Sequence, residues 1–153
     1  MTHSALAHSA WPPAPETRPP AQATPLILVI DDSITVRKII EITLRRAGFG
    51  VVSFADGVTA LRWLASPEAM TPALIYLDIE LPRMNGYEVA RMLRCRPRLF
   101  STPLVMLSGR DGVLDHLKSR LVDACVHLTK PFKAEQVVEL TRSLLASKDV
   151  VSQ

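Results

Sequence analysis

The chain has only two cysteines, Cys95 and Cys125, and they are not spaced as a metal or redox pair. Both sit in apolar segments and read as buried, reduced thiols, which fits a reducing cytoplasm. No apolar run approaches the roughly 20 residues needed to cross a bilayer. The first 24 residues also lack a charged stretch followed by an apolar one, so neither membrane insertion nor export is expected. A strong charge of one sign is missing as well. Lys and Arg number 18 against 15 Asp and Glu, a formal net charge of +3. These basic residues are scattered rather than gathered into the stripe that nucleic-acid binding requires, so no direct nucleic-acid contact is expected.

The 153 residues are 48% hydrophobic and 22% charged, enough to build one ordinary core but with no room for a second folded output domain. Residues 1–24 carry Pro12, Pro13, Pro15, Pro19 and Pro20 among Ala, Ser and His and read as a disordered, partly extended tail. Trp11 with His3 or His8 is either a docking motif within it or incidental. Residues 25–147 form the expected domain, and 148–153 a short tail.

From Leu26 onward, short apolar runs alternate five times with helical periodicity. Leu26 to Ile30 reads as a strand buried on both faces. Ser33 is a plausible helix cap, followed by Ile34 to Ala47 with Ile39, Ile40 and Leu44 on one stripe and Gly48 as the stop. The unit recurs as Phe49 to Phe54 with Gly57 to Ala65, and as Ala73 to Leu77 with Gly86 to Arg94. Pro103 to Leu107 with Val113 to Val122, and Cys125 to Leu128 with Ala134 to Leu145, complete the series. Such alternation implies right-handed crossovers and an α/β, flavodoxin-like (βα)5 three-layer sandwich, its parallel sheet ordered 2-1-3-4-5.

In such a sheet, ligands bind beyond the carboxyl ends of the strands where the order reverses. Strand one ends in Asp31 and Asp32, strand three in Asp78, strand four in Ser108, and strand five in Thr129-Lys130-Pro131-Phe132. Three carboxylates on one edge repel unless a cation neutralises them. Hard carboxylate oxygens suit Mg²⁺, which leaves positions for phosphate oxygens, so a magnesium-dependent phosphoryl site is expected. Each residue alone has a plainer reading: the Asp pair as a helix cap, Ser108-Gly109 as a turn, Lys130 as a solvated cation. Their joint placement on four strand ends favours the site.

With Pro82 and Gly86 in the loop after Asp78, these motifs resemble the two-component receiver (CheY-like) family from about Leu26 to Leu145. The resemblance implies that Asp78 accepts a phosphoryl group from a sensor histidine kinase or its phosphotransfer domain. It implies Mg²⁺, with Mn²⁺ as a substitute, on Asp31, Asp32, Asp78 and the Glu80 backbone carbonyl. Lys130 would stabilise the developing charge and Ser108 would turn toward the phosphoryl group. His127 stands where the family usually has an aromatic switch and either merely packs or makes the readout sensitive to pH. Glu80 and Arg110 flank the path of attacking water and either pair to lengthen the phosphorylated lifetime or have no kinetic role. The Lys130-Pro131 step is expected to be cis.

The segments Asp31 to Lys38 and Leu107 to Asp115 resemble stand-alone receivers of chemotaxis-like systems for surface motility, the twitching-motility (PilG-type) regulators. This implies output by protein contact through the fourth helix, fifth strand and fifth helix, including Arg120, His127 and Gln136, with homodimerisation open. It makes the chain a phosphoacceptor rather than an enzyme. Two rival readings are a magnesium phosphohydrolase with an aspartate nucleophile, in which Glu80 would replace the usual second aspartate, and a nonphosphorylated docking module.

Overall fold

The structure, a computed structural model, describes residues 24–109 and 125–151. The expected tail through residue 23, the helix from Val113 to Val122, Arg110 and Arg120 lie outside them. Within them the order is β1 (Leu26–Ile30), α1 (Ile34–Arg46), β2 (Gly50–Phe54), α2 (Gly57–Ala65), β3 (Leu74–Asp78), α3 (Gly86–Arg94), a 3-10 turn (Pro97–Leu99), β4 (Leu104–Ser108), β5 (Val126–Thr129) and α4 (Ala134–Val151). The five strands are parallel in the order β2-β1-β3-β4-β5, as the alternation predicts.

Side-chain alternation along the strands divides the core in two. Ile27, Val29, Leu74, Tyr76, Val105, Leu107 and Leu128 pack with Ile40 and Leu44 of α1 and Val137 of α4. Leu28, Ile30, Ile75, Leu77, Leu104 and Met106 pack instead with Ala60, Leu61 and Leu64 of α2 and Val89, Ala90 and Leu93 of α3. Helices therefore cover both faces, and β1, β3 and β4 are apolar on both sides.

Helix ends follow local chemistry. The hydroxyl of Ser33 accepts the Val36 N–H at 3.3 Å, Asp56 accepts that of Thr59 at 2.8 Å, and Asn85 accepts that of Glu88 at 3.0 Å. α1 stops where Gly48 takes φ +96°, a conformation glycine adopts freely.

Several expectations need correction. Cys95 is exposed and Cys125 only half-buried, because Cys95 falls two residues past Leu93 and so turns off the inward stripe of α3. Ile39 is 43% exposed; the buried stripe of α1 runs through Ile40 and Leu44, and Ile39 sits on its margin. Phe49 belongs to the helix exit rather than the strand, since its N–H bonds the Leu44 carbonyl at 3.0 Å. β3 and β4 each run one residue further than expected, with Asp78 opposite Leu107 and Ser108 opposite Thr129. α4 continues to Val151, where a tail from residue 148 was expected.

Candidate functional site

The carboxyl end of the sheet gathers the acidic residues. Asp31, directly after β1, is fully buried. Its backbone N–H extends the sheet by bonding the Phe54 carbonyl at 3.1 Å, and its Oδ1 accepts the Ser33 N–H at 2.8 Å. Asp78 closes β3 and is 3% exposed, its Oδ1 accepting the Glu80 N–H at 3.0 Å. Asp32, the next residue, is exposed. One oxygen from each of the three carboxylates falls within 4.8 Å of the others.

Lys130 reaches this cluster from the end of β5. Its Nζ lies 2.7 Å from Asp31 Oδ2 and 3.3 Å from Asp78 Oδ2. The first is an ion pair at hydrogen-bonding distance, and no second donor reaches Asp31 Oδ2 among the described residues. The Lys130 N–H bonds the Ser108 carbonyl at 2.7 Å, and the Lys130-Pro131 peptide is cis. Burial, then the charge of Asp31, pushes the Asp78 carboxyl up to about 6, against the pull of the Glu80 N–H and Lys130. Burial works against the Lys130 ammonium, but Asp31 and then Asp78 raise it above the usual lysine value.

The edge thus fits a hard divalent cation: three converging carboxylates, two of them buried, carry more negative charge than one lysine offsets. Gly86 brings the following loop against Asp78. Its N–H bonds the Ile79 carbonyl at 2.9 Å, and a Cβ there would collide with the Asp78 carbonyl oxygen and lie 2.7 Å from Ile79 Cα. In the same loop Arg83 takes φ 68°, a left-handed conformation costing a non-glycine residue about 1 kcal/mol.

Asp31, Asp32, Asp78 and Lys130 therefore come together. Ser108 is buried at the end of β4, and its backbone meets Lys130. Glu80 is exposed at the rim with only its N–H on Asp78. His127 pairs in register with Met106; it is half-buried, and its Nδ1 has no hydrogen-bond partner among the described residues. An apolar groove lined by Val36, Ile39, Pro131 and Phe132 opens beside Lys130. Sequence reasoning missed Arg37, whose Nη1 donates to the Asp31 carbonyl at 2.7 Å. The signal was available: a cation close to the N-terminus of a helix that has no acid in its first turn opposes the helix dipole.

The profile of the response regulator receiver domain matches residues 27–142. The chain belongs to the response regulator receiver family. This receiver is 38% identical over 112 residues to Protein PilG of Pseudomonas aeruginosa, covering 73% of this chain and 81% of that protein. It is 36% identical to the transcriptional regulator SphR of Synechococcus elongatus, but spans only 51% of that longer protein. Among solved structures, the receiver superposes on the chemotaxis response regulator CheY4 of Vibrio cholerae with a TM-score of 0.70 at 28% identity, covering 79% of this chain and 98% of that one. It also matches the receiver domain of a Pseudomonas aeruginosa sensor histidine kinase, with a TM-score of 0.67 at 27% identity, over 81% of this chain and 99% of that one. That structure holds a magnesium ion in its active-site cleft. Receivers are signalling domains of two-component phosphorelays and bind Mg²⁺ in an acidic pocket. No helix among the described residues is long and apolar enough to cross a membrane.

Proposed function

We propose that Asp78 is the phosphoacceptor of a Mg²⁺-dependent receiver, with Asp31 and Asp32 supplying the metal's other carboxylates. The observation that carries this reading is the position of Asp78, within reach of Lys130 Nζ and in one cluster with Asp31 and Asp32. An Asp78 oxygen attacks the phosphorus of a donor phosphohistidine. The new P–O bond forms as the P–N bond breaks, and the departing imidazole keeps the electron pair and gains a proton. Bound Mg²⁺ supplies charge neutralisation and orients the phosphoryl oxygens. Lys130 moves its ammonium from the carboxylates to a phosphoryl oxygen, which stabilises the developing charge without a large rearrangement. The Glu80 backbone carbonyl completes the metal's protein oxygens.

The donor is a histidine kinase or its phosphotransfer domain. Ile34, Ile39 and Ile42 are exposed on α1, and Ile39 lines the groove that reaches Lys130, a surface suited to a helical donor. Ser108 and His127 carry the readout to an effector protein. The likeness to PilG supports a role in chemotaxis-like control of pilus motility. Transfer to and from Asp78 is self-catalysed, and the chain has no separate enzymatic turnover. The test is intact mass after incubation with Mg²⁺ and acetyl phosphate or phosphoramidate. Wild type should gain one phosphoryl group and Asp78→Asn none; equal gain on both, or none on wild type, rejects the proposal.

A further inference from the structure

We infer that Arg37 is a positioning residue that sets the Mg²⁺ affinity of the acidic edge by orienting Asp32. The inference rests on the reading of that edge as a Mg²⁺ site. Every polar atom of Asp31 has a counterpart. Its N–H bonds the Phe54 carbonyl, its Oδ1 takes the Ser33 N–H, its Oδ2 faces Lys130, and its carbonyl oxygen takes the Arg37 guanidinium at 2.7 Å.

The last contact differs from the others in what it fixes. The Asp31 carbonyl belongs to the rigid peptide plane that joins Asp31 to Asp32. A charged donor on that oxygen sets the tilt of the plane, and with it the direction in which the Asp32 side chain leaves the backbone. Asp32 is exposed and has no such anchor of its own. Arg37 thus acts on Asp32 through the backbone. Its place six residues along the chain, in α1, ties the helix to the strand end.

Positioning and through-space charge predict opposite signs. A guanidinium that acted only as a positive charge would repel Mg²⁺, so its removal would tighten binding. Removal of a positioning contact behind a ligand weakens binding, typically about 10- to 100-fold. The experiment is calorimetric titration of the full chain with Mg²⁺ alone. Arg37→Met should weaken the Kd about 10-fold, and Arg37→Lys, which keeps the charge and a donor, should recover part of the loss. In an Asp32→Asn background, Arg37→Met should change the Kd little further, because both act through one ligand. Hydrogen exchange in metal-free protein should quicken at the Asp32 and Ser33 amides in Arg37→Met.

Unchanged or tighter Mg²⁺ binding in Arg37→Met, or an undiminished effect in the Asp32→Asn background, overturns the inference while leaving Asp78 as acceptor. If wild type shows no saturable Mg²⁺ binding, both this inference and the reading of the site fall.

Discussion

The two faces of the sheet bury different chemistry. The face under α2 and α3 is built from Leu28, Ile30, Ile75, Leu77 and Met106, all apolar. The face under α1 and α4 also buries Tyr76, whose hydroxyl lies 2.7 Å from Thr141 Oγ1 and 3.1 Å from the Val137 carbonyl. Its alternation runs on through Ile27, Val29 and Leu74, Tyr76 to Asp31 and Asp78. Val126 and Leu128 lead in the same way to Lys130. Ser108 falls on the alternate parity, in step with Leu104 and Met106 of the apolar face. The acidic cluster and the Ser108 hydroxyl are thus separated by one step of strand register, and β4 pairs with both β3 and β5.

The sharpest test of how the acidic edge stands apart from the packing of α2 and α3 is to add the same methyl group beside Asp78 and away from it. Gly86→Ala would drive a Cβ into the Asp78 backbone, which cannot swing away. It should lower stability by about 3 kcal/mol in urea unfolding and weaken Mg²⁺ binding as the acceptor shifts.

The next test uses the polar face alone. Burial raises the Tyr76 phenol from near 10 up to about 12. The unfolded chain therefore releases this proton first, so the contribution is whole below pH 10 and falls as pH rises through about 12. The loss across that window is about 3 kcal/mol. Denaturant unfolding measured along an alkaline series should show the slope in wild type and a flatter one in Tyr76→Phe.

The smallest expected effect is on the apolar face. In Gly57→Ala the new Cβ meets only the Val89 side chain, its Cγ2 methyl first, so the cost should be about 1 kcal/mol with Mg²⁺ affinity unchanged. Val89→Ala in the same chain should relieve the clash, giving a coupling in the double-mutant cycle that no pair with Gly86 reproduces. If Gly57→Ala disturbed Mg²⁺ binding as much as Gly86→Ala, the acidic edge would not be independent of the packing between α2 and α3.

The order of apolar runs and helical stretches made the fold readable, because unbroken apolar runs as short as Leu26 to Ile30 or Leu74 to Leu77 suit a parallel strand buried on both faces and little else. That order also placed Asp31, Asp32, Asp78 and Lys130 on one edge. What could not be read was whatever depends on direction rather than position. Arg37 could be flagged as a cation set against its helix dipole, but not the acceptor that its guanidinium meets. Tyr76 looks like one more apolar strand residue, since its partners in α4 lie 61 and 65 positions away. Cys95 and Ile39 went astray for a related reason: each lies beside a buried stripe, and local composition does not show on which side of the margin a side chain falls.

The Tyr76 hydroxyl has a consequence for the order of folding. Its bond to Thr141 closes a span of 65 residues, so it forms only when α4 has docked against β3. Such a closure repays its chain entropy late. The phenol is therefore a native clock: its alkaline titration, followed during refolding, marks the moment when the strand that carries Asp78 becomes fastened to the last helix.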